Sequence, residues 1–477
     1  MTSRSRAGFT WAALLLAACA QNPAVESAAE LGLPAPTPVQ LGWQQAELGV
    51  VFHYDLHVLK EGRYHQPTNR VTPILDTSFF APEQLDTNQW VRAAKAAGAR
   101  FAILTASHET GFRLWQSDAN PYSMRSLAWG EGKRDIVAEF HASCLKYGLK
   151  PGVYLGTRWN SQLGVYDFKV TERSTITQKE YNRLIEAEVL EICTRYGDWF
   201  EFWFDGGAHG PEQGGPDLLP IVREHQPNTV FYHSLQHADA RWGGSESGTV
   251  PYPCWASFPY PVTGAGESAR REIGAKNFAL LKHGDPNGAY WLPAMSDAPL
   301  RGHGGHEWFW EPDDEDIIYP LEKLVDMYCH SVGRNSTLII GLTPDDRGLM
   351  PDADVARLQE WGAAIRALFA HSLGAVDSPP PGPTVTLPLP AEQSFDVVVI
   401  QEDIVHGERT RQYVLEVLRE GAWTPIADGS CIGHKRIHRF DEAQSGEVLR
   451  LVVQESVGTP RLLRLAAYAS QTGSASG

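Results

Sequence analysis

From about residue 40 to 370 the chain alternates between two kinds of segment, and this alternation constrains its fold more than any other feature. Short apolar runs of strand length fall at 48–54, 101–107, 150–156, 201–205, 229–233, 241–246, 290–295 and 336–342. Segments 88–97, 133–147, 178–196, 320–332 and 352–369 carry apolar residues at i, i+3 and i+4, the period of a helix with one buried face. Eight short apolar strands interleaved with helices predict an α/β protein built on a (β/α)8-type barrel, here residues 40–375. The stretch 241–283 is rich in Gly, Pro and Ser and weak in helical period, so an irregular late barrel is expected.

At 477 residues the chain exceeds one such barrel. A proline-rich linker is expected at 376–383. Beyond it the apolar period drops to two, at 396–401, 411–418, 448–454 and 461–468, with turn signals at Glu420-Gly421 and Asp428-Gly429. That pattern predicts a C-terminal β-sandwich over 384–470, followed by a flexible tail, 471–477. Fifteen tryptophans are a mild pointer to carbohydrate stacking, because large α/β enzymes also bury many. A formal charge of −16 argues against a nucleic-acid partner.

The N-terminus reads as a targeting segment. Arg4 and Arg6 precede an apolar run at 12–18 that is too short to span a bilayer. Residues 16–19 (LAAC) resemble the bacterial lipobox, which predicts a signal peptide over 1–18, lipidation of Cys19, and a tether over 19–39. The alternative is an ordinary secretory peptide. Either implies export; the first implies a periplasmic or outer-membrane-anchored lipoprotein, held to the membrane only by its lipid. The other cysteines, Cys144, Cys193, Cys254, Cys329 and Cys431, show no CxxC or zinc-finger spacing. Their odd number leaves at least one free thiol. No metal site is expected.

In a barrel of this type, chemistry gathers at the C-terminal ends of the strands. Residues there are His53, Ser107-His108-Glu109, Tyr154, Asp205, His233 and Glu246. The segment 201–207 (EFWFDGG) is the most pointed of these. It reads as a buried strand that delivers Asp205 into two glycines. Two carboxylates among aromatic rings suit glycoside hydrolysis, one attacking the anomeric carbon and the other protonating the leaving oxygen. The plainer readings are a turn or cap aspartate at 205 and a solvated loop glutamate at 246.

Several segments carry a family resemblance: 90–108 (WVRAAKAAGARFAILTASH) with 111–115 (GFRLW), 134–137 (RDIV) with 147–154 (YGLKPGVY), 203–206 (WFDG), and 331–335 (SVGRN) with 344–348 (PDDRG). Together they resemble the α-L-fucosidases of glycoside hydrolase family 29. Residues 242–248 (WGGSESG) are similar to the acid/base loop of the subfamily that prefers α-1,3/1,4-linked fucose, and 399–404, 421–423 and 431–433 to its β-sandwich. The resemblance implies an exo-hydrolase that removes terminal α-L-fucose from oligosaccharides or glycans with retention. It implies Asp205 as nucleophile and Glu246 as acid/base. It sets His53, His108, Tyr154 and Trp203 around the sugar, and needs no cofactor.

Three departures touch the recognition shell. The family's Lys-His-His-Asp-Gly-Phe is Ser107-His108-Glu109-Thr110-Gly111-Phe112 here. Its Glu-Trp pair after the first strand has no clean counterpart in 61–64 (EGRY), and Met295 stands where the subfamily usually has Glu. Other readings therefore stay open. One is a carbohydrate-binding protein on an inactive barrel. Another is a hydrolase for a different α-L-sugar, or for sulfated or internal fucosyl linkages, with His233, Arg301, His303 and His306 as a source of positive charge. Trp423 is read either as a sugar platform or as packing.

Overall fold

The computed structural model describes residues 26–60, 62–262 and 274–470. The expected signal peptide, Cys19, Glu61 and the C-terminal tail lie outside them.

The barrel strands are β1 (Leu48–Phe52), β2 (Phe101–Ser107), β3 (Lys150–Leu155), β4 (Glu201–Ala208), β5 (Val230–Ser234), β6 (Arg241–Trp242), β7 (Ala294–Pro299) and β8 (Ser336–Leu342). They form one parallel sheet in the order β5-β4-β3-β2-β1-β8-β7-β6. The sheet is nearly closed, with β5 and β6 as its edges. Period two sorts the strand residues. Val50, Phe52, Ala102, Leu104, Phe202 and Phe204 pack outward against helices. Val51, Phe101, Ile103, Trp203 and Ile339 fill the interior. A Cβ on Gly49 would stand 2.2 Å from the Phe101 ring, so β1 must be bare there for Phe101 to turn inward.

The helices are α1 (Pro38–Ala46), α2 (Thr87–Ala97), α3 (Ile136–Tyr147), α4 (Gln178–Arg195), α5 (Leu218–His225), α6 (Gly274–His283), α7 (Leu321–Ser331) and α8 (Asp352–Leu368). Local chemistry sets their ends. Asp86 and Asp135 accept the first free N–H groups of α2 and α3, and Gly98 and Gly148 end these helices in the left-handed conformation. Thr177 and Glu180 form a capping box on α4.

Two late strands differ from expectation. β6 stops at Trp242 rather than 246, because Gly243 and Gly244 (φ +82°) turn the chain away. β7 runs Ala294–Pro299 rather than 290–295. Tyr290 and Trp291 pair instead with Ser257 and Phe258 in a small antiparallel ladder. Ser296 and Asp297 are polar yet buried, so the strand continues where the apolar run ends.

The sandwich strands are β9 (His371–Asp377), β10 (Thr384–Pro388), β11 (Ser394–Glu402), β12 (Thr410–Arg419), β13 (Ala422–Gly429), β14 (Arg436–Ser445), β15 (Val448–Ser456) and β16 (Leu462–Ala469). The two antiparallel sheets run β9-β16-β11-β14 and β10-β15-β12-β13, around Phe395, Ile400, Leu415 and Leu451. β9 lies ahead of the proline-rich turn, so this domain begins near residue 371 rather than 384. Arg450 stacks 3.7 Å from the Trp423 ring centroid. Residues 26–36, assigned to a tether by the sequence reading, lie against the sandwich: the Arg409 guanidinium donates to the Glu26 carbonyl at 2.5 Å, and Leu31 packs beside Gly458. All five described cysteines are buried and unbridged.

Helix α1 floors the barrel. Its Trp43 enters the interior and donates Nε1–H to Glu201 Oε2 at 2.8 Å. Glu201 has no solvent exposure, and burial pushes its carboxyl up to about 8, against the pull of the Trp43 bond. An acid whose folded pKa exceeds its unfolded value, near 4.5, supplies stability below that value and loses it as pH rises toward the folded value. Glu201→Gln keeps an acceptor for Trp43 and removes this dependence. Its Tm relative to the parent should climb steadily from pH 5 to 8; a difference that stays flat across that range contradicts the assignment.

Candidate active site

The C-terminal rim collects residues from four consecutive strands. His53 follows β1, His108 and Glu109 follow β2, Tyr154 lies on β3, and Trp203 and Asp205 lie on β4. Trp203 and Asp205 are two apart and so face the same way, inward. The rings form one cluster: His53–His108 5.8 Å between centroids, His53–Tyr154 6.2 Å, His108–Tyr154 5.3 Å and stacked, Tyr154–Trp203 5.8 Å. The Tyr154 hydroxyl donates to the Asp205 carboxylate. Past Asp205, Gly206 and Gly207 have φ of +66° and +83°, and the Arg158 side chain fills the space beside Gly206. Burial raises the Asp205 carboxyl, the charge of Glu246 raises it further, and Tyr154, Arg158 and Arg70 oppose both.

Glu246 arrives on the loop after β6, and β7 holds that loop at both ends. Gly243 N–H donates to the Met295 carbonyl at 2.7 Å and Gly248 N–H to the Asp297 carbonyl at 2.8 Å. The Trp242 indole N–H donates to Asp297 Oδ1 at 2.8 Å. The Glu246 carboxylate accepts from Trp308 Nε1 at 3.0 Å and is hydrogen-bonded to His306 Nε2. Burial works to raise the Glu246 carboxyl, but the bonds from His306 and Trp308 outweigh it and hold the group below the usual range. His306 is raised in turn, chiefly by that bond.

The glycine-rich loop 302–311 is a wall of the pocket. Trp308 lies 5.0 Å from the His53 ring. Phe309 packs edge-on against His53 at 5.2 Å, His108 at 4.9 Å and His57 at 4.1 Å. Burial depresses His53 to about 3 and His108 well below its ordinary value. Both rings are therefore neutral at neutral pH, and each has one nitrogen that donates and one that accepts. His108 Nδ1 and Trp203 Nε1 are buried with no hydrogen-bond partner among the described residues. Leaving such atoms unmet costs about 1–3 kcal/mol each, a cost expected where a ligand supplies the missing bond.

At the departures from the family pattern, Glu109 is buried and accepts from Arg70 Nε at 2.7 Å and from the Tyr64 hydroxyl at 3.0 Å. The Arg70 and Arg158 guanidinium groups lie 3.6 and 4.1 Å from the ring centroid of Trp159. Met295 is packed inside the barrel. Arg301, offered above as a source of positive charge, is 1% exposed and bound by Asp314 and Asp354, so it braces the fold. His303 lies 5.9 Å from the Tyr319 ring, and His233, buried on β5, lies 4.5 Å from Tyr232. The contributors that escaped the sequence reading include Trp308, Phe309, Asp297, Arg70 and Arg158. Asp297 is buried, its carboxyl pushed well up by burial and then by the charges of Glu246 and Asp205.

Two carboxyls on one pocket, walled by aromatic rings and neutral donor–acceptor groups, can bind a polyhydroxylated ring with an apolar edge and transfer a glycosyl group. Known proteins point the same way. The Alpha-L-fucosidase family model matches residues 40–240. A crystal structure from Bacteroides thetaiotaomicron, provisionally named an alpha-L-fucosidase, is 51% identical, with a TM-score of 0.88 over 92% of this chain and 100% of that one. A glycoside hydrolase 29 family member from a rumen bacterium is 27% identical, with a TM-score of 0.77 over 92% of this chain and 78% of its own. Alpha-L-fucosidase 1 of Arabidopsis thaliana is 28% identical, over 91% of this chain and 88% of its own. The chain belongs to the alpha-L-fucosidase family of glycoside hydrolases.

Proposed function

We propose that this hydrolase removes terminal α-L-fucose from oligosaccharides or glycans by double displacement, with Asp205 as nucleophile and Glu246 as acid/base. The observation that carries the reading is the convergence of these two carboxyls, from β4 and from the loop after β6, on one ring-lined pocket. In the first half, an Asp205 oxygen attacks the anomeric carbon while Glu246 gives its proton to the departing glycosidic oxygen. In the second, Glu246 takes a proton from water as the water displaces Asp205. His53, His108, Tyr154 and Trp203 surround the sugar. The neutral imidazoles meet its hydroxyls, and the rings of Trp203 and Phe309 suit its methyl edge.

The loop 242–248 supports a preference for α-1,3/1,4 linkages. The Glu109–Arg70–Tyr64 constellation lies where this sequence departs from the family pattern, and it supports a distinct recognition of the sugar. The LAAC motif at 16–19 supports an exported lipoprotein anchored through Cys19.

Asp205→Asn should leave no measurable turnover of any fucoside. Glu246→Gln should lower kcat/KM about 10²–10⁴-fold on an alkyl α-L-fucoside, and far less on one with a dinitrophenol leaving group, which departs unprotonated. An active Asp205→Asn enzyme, or equal losses on both substrates in Glu246→Gln, contradicts the roles. Cys19→Ala should move the protein from the membrane pellet to the soluble fraction of fractionated cells; a variant that stays in the pellet contradicts the lipid anchor.

A further inference from the structure

The partner of Glu246 is unusual for a group that must act as an acid. His306 and Trp308 both come from the loop after β7, and both point nitrogens at the same carboxylate oxygen. Trp308 Nε1 also lies 3.2 Å from His306 Nε2, so the three groups form a closed triangle. His306 is 55% and Glu246 39% exposed at the side chain, which leaves the pair open to solvent and substrate. On the barrel side Glu246 faces the acidic groups Asp205 on β4, Tyr232 on β5 and Asp297 on β7. His53, beyond β1, also faces it, and Glu307 lies beside His306. His306 is the titratable group that bonds directly to the Glu246 carboxylate and carries a proton to share.

We infer that His306 is the proton-holding partner of Glu246: between turnovers the imidazole keeps the proton that Glu246 delivers to the leaving group. The inference rests on the acid/base reading of Glu246 and deepens it. A charged imidazole beside a carboxylate and a neutral imidazole beside a carboxylic acid hold the same single proton. As the glycosidic C–O bond breaks, the proton passes from Nε2 to the Glu246 oxygen and from that carboxyl to the leaving oxygen. His306 is left neutral and Glu246 anionic. In the second half, water adds to the anomeric carbon as the Asp205–carbon bond breaks. The proton of that water goes to Glu246 and returns to Nε2. His306 thus acts through Glu246 as a positioning residue, and Trp308 fixes the oxygen that both share.

The shared proton predicts where activity ends on the basic side. The pair loses its proton at the raised value of His306, above the ordinary 6.5. Without His306 the carboxyl keeps only the Trp308 bond and loses its proton at lower pH. For His306→Gln and His306→Asn, the basic limb of kcat/KM on an alkyl α-L-fucoside should move down by about one pH unit or more. The dinitrophenyl fucoside should show no such shift. An unmoved basic limb in both variants, or a loss equal on both substrates at every pH, overturns the inference. Glu246→Gln measured alongside separates the two failures. Should that variant lose equally on both substrates, the acid role of Glu246 falls; should it discriminate as expected while the His306 limbs stay put, only the shared proton falls.

Discussion

Two carboxylates share one pocket, and the charge of Glu246 makes Asp205 harder to ionise. The surrounding structure manages that conflict. Around Asp205 stand the Tyr154 hydroxyl and the guanidinium groups of Arg158 and Arg70, all favouring its anion. Around Glu246 stand the donors of His306 and Trp308. Burial drives His53 and His108 neutral, so these rings offer the pocket hydrogen bonds rather than charge. Glu109, which also feels the charge of Asp205, is bound by Arg70, so this further carboxyl is balanced within the same wall.

Holding two like charges together takes a rigid frame, and the barrel supplies it from several directions. β4, paired on both sides by β3 and β5, carries Asp205. The loop with Glu246 leaves the short edge strand β6, the weakest member, and depends on β7 for its main-chain bonds. The sandwich braces the same region. Glu408 accepts the N–H groups of Ala256 at 3.0 Å and Ser257 at 3.3 Å, and the Asn335 amide at 2.5 Å, tying the chain after β6 to the turn before β8. The second domain thus steadies the irregular part of the first.

The parts of this design that were legible in the sequence were those with local causes. β2 and β8 fall on their expected residues because each is built on a short apolar run, 101–104 and 338–342. α2 and α8 end within a residue of their periodic segments. His53, His108, Glu109, Tyr154 and Asp205 followed from strand ends, and Trp203 from the family resemblance. What escaped depends on contacts between distant residues. Asp297 sits in a strand that turns polar while remaining buried, so period and polarity gave opposite signals. Trp308 and Phe309 lie in a loop whose glycines suggest a surface turn, and only the fold brings them against His53. Arg301 looks like a cleft cation until Asp314 and Asp354 are seen on either side of it. The Glu109–Arg70 pair spans 39 residues, a distance at which no periodicity speaks.

The central claim is that Asp205 bonds to the sugar. A 2-deoxy-2-fluoro-α-L-fucosyl fluoride should fucosylate the nucleophile with loss of fluoride and then turn over slowly, because the fluorine at C2 destabilises the oxocarbenium-like transition states of both steps while the fluoride leaving group keeps the first one accessible. Peptide mass spectrometry of the labelled protein should then find the fluorofucosyl mass on the peptide containing Asp205. Label on another carboxylate, or none while the enzyme still hydrolyses fucosides, would contradict the account.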